Sequence, residues 1–281
     1  MKRHLLKNIE VLLTKQYSKM ENQNTKLSIV TINLNNKDGL KKTLKSIDDQ
    51  SNKNFEYLVI DGNSSDGSQD LINNSAFIDI KISEKDSGIY DAMNKGIQLA
   101  KGEYLLFLNS GDYLNNSEVI NNIMSQLDGE EIIYGSLIYE DKDSSRVQHY
   151  PSKLTFSQFL YETIGHPCSF IKKDLFTRYG LYDTSYPIVA DWAFFTKVIV
   201  KENVSTKHIN EIITNFDLTG ITARPENHDK INAERDRFLK ENFSFILEDF
   251  TRTTAAVKKL ERIQSSKGFK ILKAFGVKKF Q

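Results

Sequence analysis

The chain has 281 residues, 39% hydrophobic and 11% aromatic, enough for a real core and too apolar for a disordered chain. A single cysteine, Cys168, excludes an intrachain disulfide and suits a reducing compartment. The formal charge of +1 conceals a split: 251–281 carries +8, 1–26 carries +4, and the stretch between carries −11. An acidic body disfavours general nucleic-acid binding and suits holding metal ions.

No apolar run is long enough to span a bilayer and the start has no signal-peptide pattern, so the expected location is cytoplasmic. Residues 1–26 read as a basic, helix-prone extension with Leu5, Leu6, Ile9, Leu12 and Leu13 on one face. From Leu27 the pattern alternates. "LSIVTINL" predicts a strand, and "KDGLKKTLKSIDDQ" a helix with Leu40, Leu44 and Ile47 inward. "FEYLVIDG" predicts the second strand, and Ser65 or Asp66 could cap the helix after it. "IDIKISE", "GIYDAMNKGIQLA" and "EYLLFLN" continue as strand, helix and strand. This alternation implies a mostly parallel α/β sheet with helices on both faces. Beyond residue 115 it loosens: "EIIYGSLIYE" and "SRVQHYP" predict paired strands, "DWAFFTKVIVKE" a helix, and "HINEIITNFD" a returning strand.

Ligands of such sheets bind beyond the carboxyl ends of the strands. The polar residues expected there are Asn33, Asn35, Asp61, Asp86 and Asp112. "VIDGNSSDGS" is neither a phosphate loop nor a dinucleotide fingerprint. It reads as an ordinary β-to-α turn, or as a strand-end carboxylate that accepts hydrogen bonds from a base or a ribose. In "SEKDSGIYDAMNKG", Asp91 and Asn94 lie near a helix start, where capping is the plain reading. "LFLNSGD" stops a buried strand on a turn ending in Asp112, a type I turn or a ligand for a divalent cation. In "PIVADWAFFTKVI", Asp191 reads from residue type alone as an N-cap. His166 in "ETIGHPCSF" is either structural or part of an acceptor pocket.

Taken in order, "VIDGNSSDGS", "SEKDSGIYDAMNKGI..AKGEY" and "LFLNSGD" resemble the family 2 glycosyltransferases of the GT-A fold, over about 27–225. The resemblance implies one GT-A domain at 27–250, with a Rossmann-like nucleotide-sugar half (27–115) and a smaller acceptor half (116–250). It assigns Asn33, Asp61, Asp86 and Asn94 to the nucleotide-sugar, and Asp112 to Mn2+ or Mg2+. Asp191 becomes the catalytic base, while His166, Trp192 and Thr222 become acceptor or loop residues. The sequence departs from the family pattern at Asn109 and Gly111, where many members have acids, and at Ala190 before Asp191. The implied reaction inverts the anomeric centre of a UDP-sugar, with galactose the first choice and glucose the alternative. The implied acceptor is a lipid-linked saccharide. No Gln/Arg-x-x-Arg-Trp motif is present, so a single sugar is expected per acceptor.

The tail at 251–281 combines Phe269, Ile271, Leu272 and Phe275 with nine Lys/Arg, a pattern suited to an anionic membrane surface. The expected location is therefore peripheral, on the inner face of a bacterial inner membrane. Two rivals remain open. A non-catalytic scaffold would keep the fold without turnover. A nucleotidyltransferase would want a basic phosphate loop after the first strand, where Asn33-Leu34-Asn35-Asn36 stands instead.

Overall fold

The computed structural model describes residues 25–141, 144–218, 220 and 225–275. The expected N-terminal helix falls on 1–24, outside these residues. The chain divides into two compact units between His228 and Asp229. The expected boundary at 250 lies within one helical run, His228–Ser265.

The first unit opens with β1 (Leu27–Asn33), α1 (Lys37–Asp48), β2 (Glu56–Asp61) and α2 (Ser68–Asn74). β3 (Ile80–Ser83), α3 (Ile89–Leu99) and β4 (Tyr104–Phe107) follow. Every residue of β1, β2 and β4 is buried. Strands covered on both faces need continuous apolar runs, and that is why these three read so plainly in the sequence. β3, β2, β1 and β4 are neighbours in that order and all parallel, with Asn33 paired to Asp61 at the carboxyl ends of β1 and β2. Helix α1 buries Leu40, Leu44 and Ile47 as its periodicity predicts, and Asn36 caps it by accepting from Gly39 N. Helix α3 lies close on β1 through Gly96, where a Cβ would sit 2.4 Å from Val30 Cγ1.

The second half continues the same sheet with other strand directions. It comprises β5 (Tyr113–Leu114), α4 (Val119–Met124), β6 (Ile132–Glu140), β7 (Ser145–Gln148) and α5 (Phe156–Tyr161). A 3-10 turn at His166–Cys168 leads into β8 (Ser169–Lys172) and α6 (Asp174–Tyr179). Helix α7 (Ala190–Phe195) runs into a π-helical turn at Thr196–Lys201, followed by β9 (Thr206–Asp217). Among the described residues the sheet has nine strands, ordered β3-β2-β1-β4-β8-β6-β9-β5, with β7 beside β6. β8 is antiparallel to both β4 and β6, whereas β6 and β9 are parallel. The sheet is thus parallel in its first four strands and mixed beyond them.

Cys168 is wholly buried, and burial pushes its thiol far above the ordinary range. It packs in the core as a small apolar residue. The second unit takes in α8 (His228–Ser265) from Asp229 onward, kinked at Phe243, and α9 (Lys267–Ala274). No helix among the described residues is long and apolar enough to cross a membrane.

Candidate active site

Asp61 ends β2 with its side chain fully buried, and four donors converge on it. Asn33 Nδ2 (2.7 Å) and Ser64 Oγ (2.6 Å) reach Oδ1, while Ser64 N (2.9 Å) and Ser83 Oγ (2.7 Å) reach Oδ2. Burial alone would raise its pKa, but donors from Ser64, Asn33 and Ser83 outweigh it and hold the carboxyl below its ordinary value. Asp61 is therefore a fixed anion tying β1, β2 and β3 together at their carboxyl ends. Asn35, at φ 50°, turns the chain out of β1, with its N–H on Ser64 Oγ (2.8 Å). Asp66 accepts from Ser68 N and Lys37 N, so it joins the starts of α2 and α1.

Asp86 lies beside this turn: a Cβ on Gly62 would come 3.0 Å from Asp86 Oδ2. Lys95 on α3 pairs with Asp86 (2.7 Å) and Glu84 (2.8 Å), and those carboxylates raise its pKa. Asn94 faces elsewhere. Its Nδ2 donates to Tyr182 O (2.9 Å) and its Oδ1 accepts from Tyr182 N (3.0 Å). Both ends of the amide thus pin α3 to the segment before α7.

After "YLLF" the chain turns against the N-terminal half of α1. Gly111 takes φ 111°, a conformation that favours glycine. Its N–H donates to Thr43 Oγ1 (3.0 Å), and Thr43 Oγ1 donates to Asp112 O (2.7 Å). Asn36 Nδ2 holds Ser110 O (2.9 Å). The turn therefore delivers the Asp112 carboxyl into a buried position facing Asp217, whose N–H reaches Asp112 Oδ1 (3.0 Å). Burial pushes the Asp112 pKa up to about 7, against opposing contributions from His166 and the Asp217 amide.

Two carboxylates, Asp112 and Asp217, adjoin here, and Asp217 Oδ2 is 3.1 Å from where a Cβ on Gly111 would stand. No group of three His, Cys, Asp or Glu side chains suited to a metal occurs among the described residues. The donor set fits a hard divalent cation that takes its remaining oxygens from a diphosphate or water. A buried carboxylate driven toward neutrality is also one that a cation would stabilise as the anion.

Asp191 lies in the first turn of α7, but Val189 occupies the capping position and the Asp191 side chain does not cap the helix. Its Oδ1 accepts from Tyr90 Oη (2.7 Å) and from Trp192 N (2.8 Å), and its Oδ2 meets His166 Nδ1 (3.0 Å). Burial opposes ionisation, yet His166, Tyr90 and the Trp192 amide together hold the carboxyl below its ordinary value. Its side chain keeps 18% exposure, so one edge still meets solvent. The other ring nitrogen of His166 lies 3.2 Å from Asn109 Nδ2. His166 thus bridges the Asp191 helix and the turn that carries Asp112.

One expectation needs revision. Trp192 does not line an acceptor pocket: it is 1% exposed and its indole N–H donates to Phe159 O (2.8 Å), so it is core. Successive helical residues point about 100° apart, so a neighbour of Asp191 turns to a different face. Asn94 commits one amide N–H and one lone pair of its oxygen to Tyr182, which ties it to the segment before α7. Thr222 lies outside the described residues. The sequence reading passed over Tyr90, Lys95, Ser64, Ser83, Thr43 and Asp217. Of these, Asp217 alone had a signal, as an acid closing the strand "HINEIITNFD".

Comparison with known proteins gives this arrangement a setting. The model of glycosyl transferase family 2 matches residues 28–185. A PGL/p-HBAD biosynthesis glycosyltransferase of Mycobacterium bovis is 27% identical over 201 residues, covering 69% of this chain and 77% of its own. Among solved structures, S. aureus TarS 1-349 in complex with UDP superposes with a TM-score of 0.60 at 17% identity, over 86% of this chain and 72% of that one. The mannosyltransferase PcManGT from Pyrobaculum calidifontis, in complex with GDP-Man and Mn2+, gives 0.54 at 14% identity, over 79% and 64%. At such identities the two structures share a fold with this chain, the α/β GT-A architecture, and no more. With more than half of its residues matched by the family model, the chain belongs to glycosyl transferase family 2 and is a glycosyltransferase.

Proposed function

We propose that the protein transfers one sugar, with inversion, from a UDP-sugar to a hydroxyl of a lipid-linked saccharide, assisted by Mn2+ or Mg2+. The observation that carries this reading is the Asp191 carboxylate: it is ionised, held by three donors, and linked through His166 to the turn of Asp112. In the proposed reaction Asp191 takes the acceptor hydroxyl proton. The acceptor oxygen bonds to the anomeric carbon as the bond to the diphosphate breaks, and the electron pair leaves with the nucleoside diphosphate. A cation held by Asp112 and Asp217 would supply charge stabilisation for that leaving group. Asp61, fixed by four donors, and Asp86 stand at the strand ends where the nucleoside belongs in this reading. The solved TarS complex with UDP supports the donor class, and the PcManGT complex with Mn2+ supports the cation.

Galactose transferred β-1,3 to GlcNAc on undecaprenyl diphosphate is our first choice, in assembly of a bacterial surface polysaccharide, with glucose the second. The choice rests on the resemblance of "GIYDAMNKGI" and "FLNSGD". The relative named for PGL/p-HBAD biosynthesis supports a glycoconjugate acceptor. Attachment to an anionic bilayer would bring the enzyme to such an acceptor, and α9, with the Phe275 that follows it, leaves Ile271, Leu272 and Phe275 exposed beside its lysines. A non-catalytic scaffold is the second reading, favoured by the sparse metal-ligand set.

The test incubates the protein with Mn2+, a GlcNAc-diphosphate lipid and, separately, UDP-Gal, UDP-Glc, UDP-GlcNAc and UDP-GalNAc, and follows UDP release and product mass. Release with one donor identifies the sugar. Protein that binds UDP yet releases none with any donor, and does not hydrolyse donor in Mn2+, would favour the scaffold.

A further inference from the structure

His166 has more invested in its position than a pocket-lining residue needs. It opens the 3-10 turn before β8, and that backbone is fixed on each side. Gly165 N donates to Tyr150 Oη (3.1 Å), and Gly165 O accepts from Ser169 Oγ (2.7 Å) and Cys168 Sγ (3.3 Å). A Cβ on Gly165 would stand 2.6 Å from Leu137 Cδ2, so the turn is pressed onto β6. Pro167 removes another backbone freedom. The imidazole so held has one nitrogen on Asp191 and the other on Asn109. These two partners come from α7 and from the end of β4, and they are 82 positions apart in the chain.

The geometry points to His166 as the positioning residue of the base, with its Nδ1–H locking Asp191 Oδ2 in place and Asn109 locking the ring. The inference rests on the reading of Asp191 as the base. Asp191 is an acceptor, so the proton shared with it must sit on His166 Nδ1. Nε2 then lies 3.2 Å from Asn109 Nδ2, where the Nδ1–H tautomer accepts from the amide. A wrongly oriented ring would break both bonds, so Asn109 sets the tautomer and His166 sets the carboxylate. Tyr90 from α3 and the Trp192 amide fix the other carboxylate oxygen. Among the described residues, Tyr182, which packs on Tyr90, and Asp112, which interacts with His166 and with Asp217, also act on this network. Asp191 is thereby held with its free edge toward the incoming hydroxyl, and orientation of this kind appears in kcat. Asn109 acquires a role that its place in a degenerate metal motif did not suggest.

Three variants test this in the transfer assay, with the donor that the UDP-sugar panel selects. His166→Ala should lower kcat about 10- to 100-fold with less than a threefold change in either KM. Its acidic limb should move to higher pH, because a donor that lowers the Asp191 pKa is gone. His166→Asn places an amide N–H where Nδ1 stood and should restore most of kcat. His166→Gln places it where Nε2 stood and should not. A readout independent of turnover is the imidazole 15N spectrum, which should show the Nδ1–H tautomer in the wild-type protein. Unchanged kcat in His166→Ala, a raised acceptor KM at constant kcat, equal rescue by Asn and Gln, or an Nε2–H tautomer would each overturn the inference. If His166→Ala fails to fold, the Asn and Gln pair with the 15N spectrum still decides it. Asp191→Asn separates the two readings: an active Asp191→Asn enzyme removes the base itself, whereas a dead one beside an active His166→Ala removes only the role of His166.

Discussion

Tyr90 donates its hydroxyl to Asp191 across 2.7 Å, although 101 positions separate the two in the chain. The same hydroxyl lies 2.8 Å from Ile188 O, so one phenol joins the start of α3 to the start of α7. Burial, followed by the neighbouring carboxylate, raises the Tyr90 pKa far above its ordinary value. Tyr90 therefore stays a donor throughout the working pH range.

Removing that donor should be felt twice. Tyr90→Phe keeps the ring packed on Tyr182 and leaves Asp191 with the His166 and Trp192 bonds. A lost hydrogen bond to a charged group costs about 1.5–3 kcal/mol, visible as a lower urea midpoint at unchanged slope. Since Tyr90 helps to lower the Asp191 pKa, its loss raises that pKa. The acidic limb of kcat should then move to higher pH. A limb that stays in place while stability falls would leave Tyr90 a purely structural residue.

Asp61→Asn replaces one acceptor by a donor amid four donors, and the Ser64 N–H cannot reorient to accept. An orphaned buried group of this kind costs about 1–3 kcal/mol. Because the folded pKa of Asp61 lies below its ordinary value, its stabilisation is complete above about pH 4 and fades as pH falls through the folded pKa. The gap in urea midpoint between wild type and Asp61→Asn should be wide at pH 7 and narrow toward pH 3. UDP affinity, measured by calorimetry, should fall in the variant if Asp61 stands at the nucleoside. A gap that does not depend on pH would mean that the charge of Asp61 contributes nothing to the fold.

The contrast between these residues shows what a linear sequence exposes. β1, β2 and β4 were legible because strands buried on both faces must be apolar throughout, and Asp61 and Asp112 were legible as the polar residues that end such runs. The antiparallel insertion of β8 between β4 and β6 was not, because pairing across the sheet leaves no local periodicity. Contacts made through one long-range hydrogen bond were equally hidden. Tyr90 looked like a core aromatic, Asn94 like a ligand or cap, and Trp192 like a neighbour of the site because it is a neighbour in the chain. Asp191 was found through its family resemblance, and its three donors became visible only once α3, α7 and the His166 turn had been brought together.

Asp112→Asn tests the cation reading while keeping shape. The substitution removes a charge that burial disfavours, so metal-free protein should lose no stability, and its thermal midpoint should match or exceed that of the wild type near neutral pH. Mn2+ should raise the midpoint of the wild type in the presence of UDP and leave the variant unmoved. Metal-dependent UDP release should disappear. Wild-type release by Asp112→Asn would place the metal elsewhere or remove the need for one.

The tail can be tested without touching the catalytic half. Helix α9 and the Phe275 that follows it leave Ile271 55%, Leu272 44% and Phe275 82% exposed, and the lysines around them suit an anionic surface. Residues 276–281, with Lys278 and Lys279, lie outside the described part of the chain. Each basic residue close to such a surface contributes roughly 1 kcal/mol, and salt screens that attraction over about 8–10 Å. Full-length protein should therefore pellet with phosphatidylglycerol vesicles at low salt and be released at high salt. It should ignore vesicles of neutral lipid. Combined Ile271→Ser, Leu272→Ser and Phe275→Ser substitutions should abolish pelleting while a short soluble acceptor is still glycosylated at the wild-type rate. Equal pelleting of variant and wild type would remove the membrane role. A wild-type dimer that these substitutions dissociate would show instead that this face meets a second copy of the chain.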